Sequence, residues 1–216
     1  IAIISDIHGN ILALKAVMED IKQNGIEKIF CLGDLAFAGP QPKETLDFII
    51  ENLKDQIIIQ GNTDEMICKA TGEPGDPYTP KKDTMANAIK YSQRVLNEED
   101  KQFLNNLPPQ YEEDIEGLKI LLVHGSPRKN DEGIFPQTKY SKIEEMMEGV
   151  DAKIIFCGHT HYPVIHQVDG KTIVNTGSVG RPFGYNTRAT YAILDLTKIK
   201  DRQFDIEHRY VRYDVE

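Results

Sequence analysis

The chain has 216 residues, 40% of them hydrophobic and 27% charged, with a formal net charge of −9. That balance suits a soluble globular protein with a sizeable core, holds no apolar run of bilayer length, and disfavours long nucleic acid as a partner. Three dispersed cysteines (Cys31, Cys68, Cys157) without a C-x-x-C pair, and a start that reads as a strand and not a leader, give the reducing cytoplasm as the expected compartment.

The first ten residues, IAIISDIHGN, run from a short β-branched apolar stretch into Asp6 and His8, which suits a buried strand with a D-x-H at its end. Ile11, Leu14, Val17, Met18 and Ile21 recur at helical spacing over residues 11–24, and Gly25 supplies a stop. A second apolar run, Lys28 to Leu32, ends in Gly33-Asp34. A helix is expected from about Pro42 to Lys54, with proline in its first turn. The third run, Gln56 to Gln60, ends in Gly61-Asn62-Thr63-Asp64. Strand, helix, strand, helix, strand implies parallel strands with crossover helices.

Residues 68–110 break the rhythm and read as a helical insertion. Gly72, Pro74, Gly75, Pro77 and Pro80 mark an irregular loop, followed by helices over Asp83–Leu96 and Glu98–Leu107 with Asn97 capping the second. Tyr111–Ile115 and Leu118–Val123 form a hairpin around Glu116-Gly117, the second strand running into His124-Gly125. A short helix is expected over Ser141–Glu148. Lys153–Cys157 then ends in Gly158-His159-Thr160-His161. Val164–Val168 and Lys171–Asn175 flank a second hairpin turn, Asp169-Gly170, and strands over Ala189–Leu196 and Phe204–Val211 close the chain. No repeat divides it, so residues 1–216 are expected to form one domain.

Five polar clusters each terminate an apolar β-like run: Asp6 and His8, Asp34, Asn62, His124, then His159 and His161. In α/β folds ligands bind beyond the carboxyl ends of strands, so the clusters should converge on one edge. Taken singly, each has an ordinary use as a cap, a turn or a buried histidine. Taken together, they place four of the six histidines at strand ends beside two Asp and one Asn. His166 and His208 fall inside strands and are read as structural. Nitrogen and oxygen donors without thiolates suit first-row divalent ions of the Mn, Fe or Zn kind. Seven donors exceed the needs of one tetrahedral ion, whereas two ions bridged by a carboxylate would use them all. A glycine stands immediately before the polar residue in three clusters, where it is expected to let the backbone turn sharply.

The order D-x-H, G-D, G-N, H, G-H-x-H resembles the calcineurin-like metallophosphoesterase superfamily from Asp6 to about Leu196. SDIHGN, CLGDLAFAGP, VLNEEDKQFLNNLP, VHGSP and the NTGSVG…TRATYAILDL tail further resemble a small prokaryotic branch related to the YfcE-type phosphodiesterases. The resemblance implies an α/β fold, a two-sheet β-sandwich flanked by helices. It implies that Asp6, His8 and His161 hold one divalent ion and Asn62, His124 and His159 a second, with Asp34 bridging. Mn is the expected metal, with Fe, Zn, Ni or Co as alternatives. The reaction implied is hydrolysis of a phosphodiester, phosphoanhydride or activated phosphomonoester by a metal-activated water, with Asp34, Asn62 and His124 in the catalytic centre. The expected partner is a small phosphorylated molecule, such as a nucleotide or dinucleoside polyphosphate. Asn62 can also donate a hydrogen bond to phosphate, and Arg181, Arg128 and Arg188 are candidates to clamp it, Arg181 ahead of the others. Tyr78, Tyr91 and Arg94 either meet a base or sugar or, as aromatics more commonly do, pack the insertion onto the body.

One position departs from the family pattern. Many members read G-N-H-[DE], with that His protonating the leaving oxygen, and this chain has Thr63. A hydroxyl is too weak an acid for that role, so either another residue donates the proton or the favoured substrates are those whose leaving groups need little help, activated esters and phosphoanhydrides ahead of alkyl monoesters. The rival reading is a catalytically weak scaffold of the same fold, which loss of metal ligands would support; all seven motif positions carry ligating residues.

Overall fold

The computed structural model describes residues 1–73, 76–81, 83–184 and 187–214, residue 83 by its backbone alone. Pro74 and Gly75 of the expected loop lie outside the described residues.

The expected alternation opens the fold: β1 (Ala2–Ile4), α1 (Ile11–Gln23), β2 (Ile29–Cys31), α2 (Pro42–Leu53) and β3 (Ile57–Ile58). Helix α1 starts where the Asn10 side chain accepts the Ala13 N–H at 3.1 Å, and it buries Ile11, Leu14, Val17 and Ile21 on one face. Strand β3 is shorter than the apolar run that encodes it. Its backbone still bonds β2 through Ile59 N to Cys31 O at 2.9 Å, but Gln60 N turns away to Pro108 O at 2.8 Å. The end of the insertion thus competes with the neighbouring strand for one donor.

Helix α3 (Asn62–Lys69), not expected from the sequence, follows β3 directly, and α4 (Asp83–Val95) and α5 (Glu98–Asn106) complete the insertion. Asn97 caps α5 as expected, accepting from Asp100 N while Asp100 accepts from Asn97 N, at 2.9 and 2.8 Å. Tyr91 donates its hydroxyl proton to Pro40 O and carries the Arg94 guanidinium 5.6 Å from its ring centroid, while Lys69 lies over Tyr78. These contacts fix the insertion to itself and to the loop after β2.

The remaining elements are β4 (Gln110–Ile115), β5 (Leu118–Val123), α6 (Tyr140–Met146), β6 (Ile154–Cys157), β7 (Val164–Val168), β8 (Lys171–Asn175), β9 (Ala189–Asp195) and β10 (Asp205–Val211). The two expected hairpins form with Glu116-Gly117 and Asp169-Gly170 all at positive φ, the tight turn whose twist matches its strands.

The described strands form two five-stranded sheets, β10-β9-β1-β2-β3 and β4-β5-β6-β8-β7. β1, β2 and β3 run parallel, as do β5, β6 and β8. Alternate residues of each strand serve different layers. Ile3, Phe30, Leu122 and Phe156 meet between the sheets. Ala2, Ile4 and Cys31 face α1 and α2, and Leu121, Ile155 and Cys157 face α6. Phe30 and Phe156 are fully buried, and cutting either back to alanine should cost about 3–5 kcal/mol. The strands β1 and β6, central to their sheets, point their carboxyl ends at the same edge of the sandwich. No helix among the described residues is long and apolar enough to cross a membrane.

Candidate metal centre

The seven donors all lie just past strand ends: Asp6 and His8 after β1, Asp34 after β2, Asn62 after β3, His124 after β5, His159 and His161 after β6. Folding brings them together. Asp6, His8 and His161 offer ligand atoms within 4.8 Å of one another, and so do Asp6, Asp34 and His124. His161 Nε2 stands 3.2 Å and His8 Nε2 3.6 Å from Asp6 Oδ1. Asn62 Oδ1 is 3.0 Å from His124 Nε2 and 2.8 Å from His159 Nδ1. Between the two groups lies Asp34 Oδ2, 3.8 Å from His8 Nε2 and 3.4 Å from His124 Nε2.

Three of the imidazoles are oriented from behind. His8, His124 and His161 each present Nδ1 to a backbone carbonyl, of Phe37, Leu32 and Arg181, at 3.1, 2.7 and 2.6 Å. Donating from Nδ1 leaves Nε2 facing the centre, as metal-binding histidines require. Asp6 is held the same way: Oδ2 accepts from Ser5 Oγ at 2.7 Å and from His159 N at 3.0 Å. Its Oδ1 is buried and has no hydrogen-bond partner. An orphaned carboxylate oxygen facing two imidazole nitrogens is costly unless a cation takes its lone pairs. The residues present therefore fit a divalent ion.

The electrostatics agree. Burial resists ionisation of Asp6, but His161 and His8 outweigh it and hold its carboxyl well below the ordinary range; His124 does the same for Asp34. Burial also resists charge on His124, yet Asp34 and Asp6 raise its pKa to about 10. His159 is pushed down by burial and by His124. Neither donor group among the described residues includes a cysteine, and burial pushes the nearby Cys31 thiol up to about 12.

The backbone is bent to reach this arrangement. Asp6, His8, Asp34, His159 and His161 all have φ between 51° and 65°, a left-handed conformation that costs a non-glycine residue about 1–3 kcal/mol. D-x-H and H-x-H thus use one local turn twice, on the central strand of each sheet. The glycines work differently from expectation. Gly33 does turn at φ +88°, but Gly61 lies at φ −86° and Gly158 is not left-handed either. They are needed for close approach: a Cβ on Gly61 would collide with Asp34, and one on Gly158 with Ser5 Oγ and Asp6 Oδ2.

Asp64 belongs to the centre and was not singled out from the sequence. Its buried carboxylate accepts from the backbone N–H groups of Asp34, Leu35 and Gly61 at 2.8, 2.8 and 3.0 Å. It thereby ties the loop after β2 to the start of α3. Burial and the charge on Asp34 raise its pKa to about 7. The available signal was a carboxylate three residues after a glycine at a helix start. Thr63 donates its N–H to Asp34 Oδ1 at 2.9 Å, and its buried hydroxyl has no partner.

The arginines separate. Arg128 grips Glu132 through two nitrogens, at 2.5 and 3.1 Å, and Glu145 at 2.8 Å, so it would have to leave both to meet a phosphate. Arg188 lies 5.0 Å over the Tyr210 ring. Arg181 is tied to one of the seven donors: it is exposed, its carbonyl orients His161, and its guanidinium lies over Phe183. Phe183, which the sequence reading did not mark, sits 4.4 Å from the His161 ring, centroid to centroid.

Comparison with known proteins adds the family context. Residues 1–199 match the family model of the calcineurin-like phosphoesterase superfamily domain. The whole chain is 33% identical to an uncharacterized protein of Methanocaldococcus jannaschii, of which it covers 88%. Among solved structures it is similar to a hypothetical protein of Pyrococcus horikoshii (TM-score 0.84, 28% identity, covering 100% of this chain and 88% of that one). It is similar also to a metallophosphoesterase of Sphaerobacter thermophilus (TM-score 0.76, 28% identity, 99% and 88%). The phosphoesterase YfcE of E. coli shares the fold at 22% identity (TM-score 0.56, 98% of each chain).

Proposed function

The chain belongs to the calcineurin-like phosphoesterase superfamily, and we propose that it hydrolyses phosphodiesters, phosphoanhydrides or activated phosphomonoesters with two divalent cations. The observation that carries this reading is the orphaned Asp6 Oδ1 facing the Nε2 atoms of His8 and His161. Those three residues would hold one cation, and Asn62, His124 and His159 the other. Asp34 Oδ2 stands between the two groups, while its Oδ1 is spoken for by Thr63 N. When bound, the ions supply charge to phosphate oxygens and lower the pKa of water.

The chain itself does the positioning. Asn62 turns Oδ1 toward His124 and His159, which leaves its amide N–H groups to donate to a substrate oxygen. Arg181, whose carbonyl orients His161, is the arginine to which we assign a further anionic oxygen. Thr63 positions Asp34 but offers no proton to a leaving group, which restricts good substrates to those whose leaving group departs as an anion. The donor set suits Mn, Fe or Zn, and Mn is the ion we favour.

The test is metal analysis joined to hydrolysis of bis(p-nitrophenyl) phosphate and a dinucleoside polyphosphate. Turnover that rises with about two bound ions per chain is expected. Firm metal binding without turnover of any ester class would favour the scaffold instead.

A further inference from the structure

A strip of aromatic rings leads away from the metal centre. Phe183 follows His161 at a centroid distance of 4.4 Å, Tyr162 follows Phe183 at 5.9 Å, and Phe135 follows Tyr162 at 6.4 Å. Although they touch one another, Phe183 keeps 41% and Phe135 38% of its surface exposed. Arg181 adds a flat cation 5.6 Å from the Phe183 centroid.

The strip is held in place. His166, which the sequence left as a structural histidine, lies with Nε2 3.0 Å from Phe135 O. Phe135 N donates to Thr138 Oγ1 at 2.8 Å. Gly133 passes so close to both the Phe135 ring and Thr160, the residue between His159 and His161, that a Cβ there would clash with each. Phe135 is therefore packed against the loop after β6, and Tyr162 and Phe183 link it ring by ring to His161. Fixed, exposed rings beside a guanidinium suit a planar π-system, since stacking accepts any base face and the rings lose little freedom on binding.

We propose that the Phe183–Tyr162–Phe135 strip, with Arg181, is the subsite for the nucleobase of a nucleotide whose phosphate lies at the metal centre. Continuity selects the occupant: the strip begins on the His161 ring, so a single molecule can span the strip and the metal centre. The proposal rests on the phosphoester reading above.

The experiment measures binding of inorganic phosphate, ribose 5-phosphate and adenosine monophosphate to the Mn-loaded full chain by calorimetry. Adenosine monophosphate should bind about tenfold or more tightly than ribose 5-phosphate. That ratio should shrink to within about threefold in Phe183→Leu and in Phe135→Ala, the second of which lies beyond Tyr162 and Phe183 from His161. Reading the ratio within each variant cancels any general loss of folding or metal. Equal binding of the two sugars' phosphates in the wild type, or a ratio unchanged in both variants, overturns the subsite alone. Failure to bind any of the three overturns the phosphoester reading and the subsite with it. A concentration-dependent dimer abolished by Phe135→Ala, with no gain from the base, assigns the strip to a second copy and also overturns the proposal.

Discussion

The Nε2 atoms of His8 and His161 stand 2.9 Å apart across 153 residues of sequence. Each ring gives its Nδ1 to a carbonyl, so both Nε2 lone pairs aim at one point beside the unpartnered Asp6 Oδ1. A cation resolves that crowding. His161→Ala should lower bound metal from about two ions per chain toward one and cut turnover at least about 100-fold. Inductively coupled plasma analysis with kinetics on the same sample checks it; full metal content would refute the assignment.

Protons should compete with metal at His124. Its folded pKa, about 10, lies above the unfolded value near ~6.5. The stability this proton contributes to the metal-free protein is therefore complete below about pH 6.5 and lost as pH rises through about 10. Metal must displace the proton, so affinity should increase about tenfold per pH unit from pH 7 to 9. Calorimetry in buffers of differing ionisation enthalpy should register about one proton released per chain on this account; none released would sink it.

On the proposed reading, Thr63 supplies no proton to the leaving group. Across a series of aryl phosphodiesters the rate should fall steeply as the leaving-group pKa rises, and alkyl esters should be turned over at least about 100-fold more slowly. A rate indifferent to that pKa would mean that another residue supplies the proton.

Glycine-to-alanine changes should sort by mechanism. Gly25 has φ +67° and open space around it, so its replacement meets only the conformational penalty, about 1 kcal/mol. Gly61→Ala would drive a methyl group into Asp34, and metal affinity should drop at least about tenfold. Thermal melts with and without Mn separate the two: the metal-induced rise in Tm should survive in the first variant and shrink in the second.

Much of this molecule is legible in one dimension. The helices α1 and α2 declare themselves through apolar spacing and Pro42, and α5 through the Asn97 cap, because a helix is stabilised by neighbours three and four residues away. Both hairpins follow from two-residue turns that need positive φ. The donors were visible as residues that interrupt apolar runs. Helix α3 was hidden, because its short polar stretch is fixed by Asp64 reaching back to the loop after β2.

By itself, then, the chain's order of residues determined which segments become strands and which seven side chains stand at their ends. Only the packing of one sheet on the other decided that β1 and β6 bring their doublets together, that Gly61 and Gly158 are there for room and not for turning, and that Arg128 is engaged while Arg181 borders the site. The reason is range. Periodicity and turns are settled by bonds within a few residues, whereas a contact between His8 and His161 exists only once two hydrophobic faces have closed over Ile3, Phe30 and Phe156.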